Sequence, residues 1–124
     1  MKNAKEYLDD ANGVVPKISV DEGKSRHDAG NTVFIDVRDS AEIADSGTIE
    51  GALRIPRGFI EFAADPETPF HNARLTRDAD IVLVCGAGGM AALTGKTLKD
   101  MGYEHVYNVG GFKDWKDGGG PTEG

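Results

Sequence analysis

The residues best equipped for chemistry lie in one segment, Cys85-Gly86-Ala87-Gly88-Gly89-Met90. A cysteine acts as a nucleophile in its thiolate form, so it needs surroundings that stabilise an anion. Three glycines in the next four positions let the backbone turn tightly and aim its N–H groups inward. A helix expected from Ala91 adds the positive end of its dipole. Such a nest suits a thiolate or a persulfide, and therefore covalent sulfur chemistry. A cysteine that closes a core strand is also commonly a small buried hydrophobe. Spacing alone leaves both readings open.

Few other residues compete. Asp36 and Arg38 fall at a strand end, and Arg57 follows Pro56 at the end of another. Arg57 is therefore expected on the same side of the sheet as the cysteine. His27, His71 and His105 are too far apart for ligand spacing, so no metal site is indicated. The glycine loop lacks both the Rossmann spacing and a P-loop lysine, so no cofactor is expected.

The elements that must hold these residues can be read from periodicity. Val15–Ile18, Thr32–Val37, Ala52–Pro56, Asp80–Cys85 and His105–Val109 read as strands. Asp80–Cys85 has four consecutive apolar residues, the pattern of a strand buried on both faces. Helices are expected over 3–11, from a Ser19/Glu22 capping box to about His27, over 40–44, 59–63, 91–101 and 112–116. Asp65–Leu75, with two prolines, reads as irregular. Strands alternating with helices imply an α/β fold: five mainly parallel strands with helices on both faces. In such sheets ligands bind beyond the carboxyl ends of the strands, where Cys85 falls. Residues 1–124 read as one domain, with 1–14 as an N-terminal extension and 117–124 as a flexible glycine-rich tail.

Composition narrows the function classes. The 124 residues carry 14 basic and 21 acidic side chains, a net charge of −7. That balance disfavours nucleic acid as a partner. No apolar run approaches bilayer length, and the first residues lack a signal-peptide pattern. One cysteine cannot form an internal disulfide, and a reducing, cytoplasmic setting is expected.

Several motifs, in order, resemble the single-domain rhodanese-like sulfurtransferases. Phe34-Ile35-Asp36-Val37-Arg38-Asp39 looks like the family's strand ending in Asp-Val-Arg. Gly47-Thr48-Ile49-Glu50-Gly51-Ala52 resembles its Gly-His-Ile-Pro-Gly-Ala segment, with Thr48 and Glu50 as departures. Lys96–Tyr103 and Val106–Trp115 are similar to its C-terminal third. The resemblance implies a rhodanese-like fold, with Cys85 as nucleophile and Gly86, Ala87, Gly88, Gly89 and Met90 as its cradle. It also implies a Cys85 persulfide, formed from thiosulfate or another persulfide or polysulfide donor. Cyanide, a thiol or a protein would accept the sulfur. Asp36 and Arg38 would chiefly tie loops together around the site.

Two departures matter. Many members carry Arg at the last cradle position and Ser or Thr after it, where this chain has Met90 and Ala91. The backbone part of the cradle is kept and the charged fork is lost, which weakens the case for thiosulfate as donor. Arg57 is the replacement candidate. The dual-specificity phosphatases of this fold need a longer loop ending in Arg, and neither Met90 nor Ala91 can clamp a phosphate. The second reading is therefore a binding or sulfide-sensing module with little turnover.

Overall fold

The computed structural model describes residues 1–124. Its main sheet has four parallel strands in the order β3-β1-β4-β5. These are β1 (Thr32–Asp36), β3 (Leu53–Arg54), β4 (Asp80–Cys85) and β5 (His105–Gly111). The fold is α/β, as expected, with four strands in place of five. Val15–Ile18 contributes only a bridge between Lys17 and Asn108. Two things limit it: the Val15 N–H is already spent on the Ala11 carbonyl at the end of a helix, and Pro16 has no N–H to give.

That helix is α1 (Ala4–Val14), started by a capping box between Asn3 and Glu6. It runs through Asn12-Gly13, where composition predicts a stop. Packing against the helix that follows β4 outweighs a glycine cost of about 1 kcal/mol. The next two helices, α2 (Val20–Ala29) and α3 (Ser40–Ser46), begin at Ser19 and Asp39. Those two side chains accept the N–H groups of Glu22 and Glu42. A 3-10 turn (Arg57–Phe59) leads into α4 (Ile60–Ala64). Residues 65–79 form neither helix nor strand, in line with their two prolines. α5 (Gly89–Asp100) follows β4, and α6 (Phe112–Asp117) follows β5.

Alternation along β4 divides the core into two layers. Ile81, Leu83 and Cys85 face one side with Ile35, Ala91, Leu98 and Val106. Val82 and Val84 face the other with Phe34, Ile49, Val109 and Trp115. The position of Cys85 thus follows from strand parity: its sulfur must emerge on the α5 side.

Residues 117–124, expected as a flexible tail, instead fold back onto the body. β6 (Thr122–Glu123) pairs antiparallel with β2 (Thr48–Ile49). The Trp115 indole donates to the Pro121 carbonyl at 2.9 Å. A Cβ at Gly120 would collide with that indole, so this glycine is present for space. No helix is long and apolar enough to cross a membrane.

Candidate active site

Cys85 ends β4 and is 1% exposed. Its Sγ receives the Gly88 N–H at 3.0 Å and the Ala91 N–H at 3.3 Å. Gly88 adopts φ +96°, a conformation open to glycine at little cost. This turn brings the chain back over the sulfur and starts α5. The start of α5 has no side-chain cap of the usual kind. Counting from Gly88 as N-cap, Ala91 is the third helical residue, whose N–H an N-cap oxygen would ordinarily accept. Here the sulfur accepts it. The helix and the cysteine therefore share one hydrogen bond, and the dipole end falls on the sulfur.

Of the cradle residues, Gly86, Ala87 and Met90 are exposed, while Gly88 and Gly89 are partly covered. Met90, in the first turn of α5, is 38% exposed and brings no charge. A second strand braces the loop. Asn108 of β5 is buried, its Nδ2 donates to the Gly88 carbonyl at 2.9 Å, and its Oδ1 accepts the Gly110 N–H at 2.8 Å. The β4–β5 register shifts between Leu83 and Val84, leaving Val109 as an extra residue, a bulge of the kind that re-aims side chains beside active sites. Next to it, a Cβ on Gly111 would strike the Gly86 carbonyl oxygen and lie 3.4 Å from the Ala87 Cα. Asn108 and Gly111 were not singled out by sequence reasoning. Their roles depend on contacts between β5 and the loop across twenty positions of chain or more, though the Gly110-Gly111 pair was a visible signal.

Asp36 and Arg38 form a different arrangement. Asp36 is fully buried and shares strand parity with Phe34, so it belongs to the layer opposite Cys85. Its carboxylate accepts Arg38 Nε at 3.1 and 3.2 Å, Arg38 Nη2 at 2.7 Å and Thr48 Oγ1 at 2.7 Å. Arg38 also donates to Ser46 Oγ and the Gly47 carbonyl, and its guanidinium lies over the Phe112 ring. Hydrogen bonding to Asp36 raises the Arg38 pKa above its ordinary value. Burial opposes this, and attraction to Asp36, Glu42 and Cys85 adds to it. Arg38 is thus a cation held in place by Asp36, and both carboxylate oxygens of Asp36 are engaged within this network. Thr48, a departure from the family motif, fills a buried place in this network.

Arg57 is half-buried, makes no ion pair and lines a cleft with Leu8, Gly89 and Leu93. The structure therefore puts it beside the start of α5. The three histidines are dispersed: His27 Nε2 donates to the Glu50 carbonyl, His71 Nε2 donates to the Leu75 carbonyl, and His105 is exposed on β5. No group of three metal-ligating side chains comes together.

Residues 19–118 match the profile of the Rhodanese-like domain, and the chain belongs to that family. It is 30% identical over 107 residues to human thiosulfate:glutathione sulfurtransferase, covering 81% of this chain and 92% of that protein. It is 28% identical over 103 residues to YrkF of Bacillus subtilis (strain 168), named as a candidate sulfur carrier protein. That match covers 82% of this chain and 51% of YrkF, so the chain spans about half of that relative. Among solved structures, a Rhodopseudomonas palustris protein of unknown function, named as a possible tyrosine phosphatase, is similar at TM-score 0.93 and 35% identity. The match covers 99% of this chain and 96% of that one.

Proposed function

We propose that this chain is a sulfurtransferase that carries sulfane sulfur as a persulfide on Cys85. The observation that carries the reading is the pair of main-chain N–H groups, from Gly88 and Ala91, directed at Sγ. They stabilise negative charge on the sulfur without any ionised side chain in the loop. Family membership and relatives named for sulfur transfer and sulfur carriage support it.

In the first half-reaction the Cys85 thiolate attacks the outer sulfur of a donor such as thiosulfate or a polysulfide. The donor's S–S bond breaks, and sulfite or the shortened polysulfide leaves with the electron pair. In the second, an acceptor thiolate or cyanide attacks the terminal sulfur. The persulfide S–S bond breaks, and its electron pair returns to Cys85. The Gly88 and Ala91 amides stabilise the Sγ thiolate that opens the cycle and is regenerated at its end.

The structural neighbour's name raises phosphatase activity. The loop argues against it: Met90 and Ala91 stand where a phosphate-clamping arginine would be needed, and no charged side chain in the loop replaces it.

Mass spectrometry after incubation with thiosulfate or polysulfide tests the proposal. The expected result is a gain of one sulfur on Cys85, removed by cyanide and lost in Cys85→Ala. A thiol that stays unmodified under every donor would overturn it and favour a binding or sensing module.

A further inference from the structure

Three of the chain's five phenylalanines stand together in solvent. Phe59, Phe62 and Phe70 are 37%, 50% and 58% exposed. Phe59 lies at the centre, with ring centroids 5.6 Å from Phe62 and 5.5 Å from Phe70. Helix phase explains the first two. Ile60, Ala63 and Ala64 take the buried side of α4, so positions 59 and 62, three apart, share the outer side. A polar residue would serve there as well for folding alone. A contiguous exposed apolar patch marks an interaction site, and aromatic rings are the side chains that anchor interfaces.

The patch is also held in place. Thr68 Oγ1 donates to the Phe62 carbonyl at 2.6 Å, and the Asn72 N–H donates to the Ala63 carbonyl at 2.9 Å. Pro66 and Pro69 stiffen the chain between these ties. The rings are thus presented in advance, which lowers the ordering cost of binding.

Charge indicates what covers them. From Gly58 to Phe70 there are three acids, Glu61, Asp65 and Glu67, and no Lys or Arg. None of the three is in an ion pair. The flanking cations face elsewhere. Arg57 lines the cleft with Leu8 and Gly89, and Arg74 lines one with His27 and Thr32 at the start of β1. A second copy of this chain would set like charges against each other, and an anionic membrane surface would repel the same rim.

We infer that the Phe59–Phe62–Phe70 face docks a protein segment that presents an apolar side chain between Lys or Arg residues. The face adjoins α5, against which α4 packs, so a partner seated there stands beside the helix that begins at the sulfur loop. The inference does not depend on the sulfur-transfer reading.

The test is selection of a random-peptide phage library on the full chain, followed by titration of the enriched peptide. The selected sequences are expected to carry a large apolar residue flanked by Lys or Arg. Phe62→Ser and Glu61→Lys, both exposed on α4, should each weaken that peptide by about tenfold while the melting temperature is kept. Asp21→Lys, on α2 across the sheet, makes the same change in net charge and should leave the affinity unaltered. Acidic or uncharged selected sequences, or binding that survives Phe62→Ser, would overturn the inference. A dimer abolished by Phe62→Ser in sedimentation would also overturn it and assign the face to a second copy. Binding to neutral phosphatidylcholine vesicles, lost in the same variant, would overturn it in favour of lipid.

Discussion

Two strand-to-helix turns stand side by side at the carboxyl edge of the sheet, one after β1 and one after β4. Both must satisfy the orphan N–H groups of a helix and a buried polar atom at a strand end. After β1 the task is closed by side chains. Asp39 caps α3, and Asp36 is saturated by Arg38 and Thr48. After β4 there is no such side chain, and the amides of Gly88 and Ala91 turn to a sulfur. The first turn has its buried carboxylate fully engaged by side chains and serves as a brace. The second keeps its donors on an atom that can change its bonding. On the proposed reading, the reactivity of the second turn follows from which partner its backbone amides are given.

Breaking the brace should produce the largest effect. Arg38→Ala leaves the Asp36 carboxylate buried without its cation, and removing one member of a buried pair costs about 3–5 kcal/mol. Urea unfolding at neutral pH should show that loss. A cost below about 1 kcal/mol would mean that the network is not the structural member it resembles. A smaller effect is expected on the other turn. Gly111→Ala forces a methyl against the Gly86 carbonyl, at about 1–3 kcal/mol for an overpacked site. Persulfide formation on Cys85 should slow by more than the fold weakens, which stopped-flow measurement beside thermal unfolding would resolve. Equal losses would show that loop geometry is not the limiting factor. The smallest change sharpens the contrast from the opposite direction. Met90→Arg adds the fork that the loop lacks, and one charge-assisted hydrogen bond of about 1.5 kcal/mol lowers the thiosulfate KM by roughly tenfold. An unchanged KM in steady-state assays would place position 90 outside the donor path.

The contrast between the two turns was only half visible in the sequence. β4 matches its expected span of Asp80–Cys85, because a central parallel strand buried on both faces leaves a continuous apolar run. The cysteine-glycine loop could be read for the same reason: its chemistry is local. The side-chain network was legible as a motif but not as geometry, since the turn of Asp36 away from the sulfur depends on strand parity and on Thr48, twelve positions on. α1 outran its glycine because tertiary packing outweighs propensity. The bracing by Asn108 and the steric demand at Gly111 arise only when β5 lies against the loop. Gly118-Gly119-Gly120 read as flexible on composition, whereas one of the three is there to clear an indole ring.

That indole belongs to the chain's single tryptophan. Trp115, on α6, is fully buried against Phe34 of β1, Gly23 of α2 and the returning tail, and its one polar side-chain atom is bonded to that tail. The molecule therefore carries a native fluorophore at a single address. Its emission colour reports whether the last residues are docked, while the sulfur loop at the carboxyl edge of the sheet contributes no second emitter of the same kind.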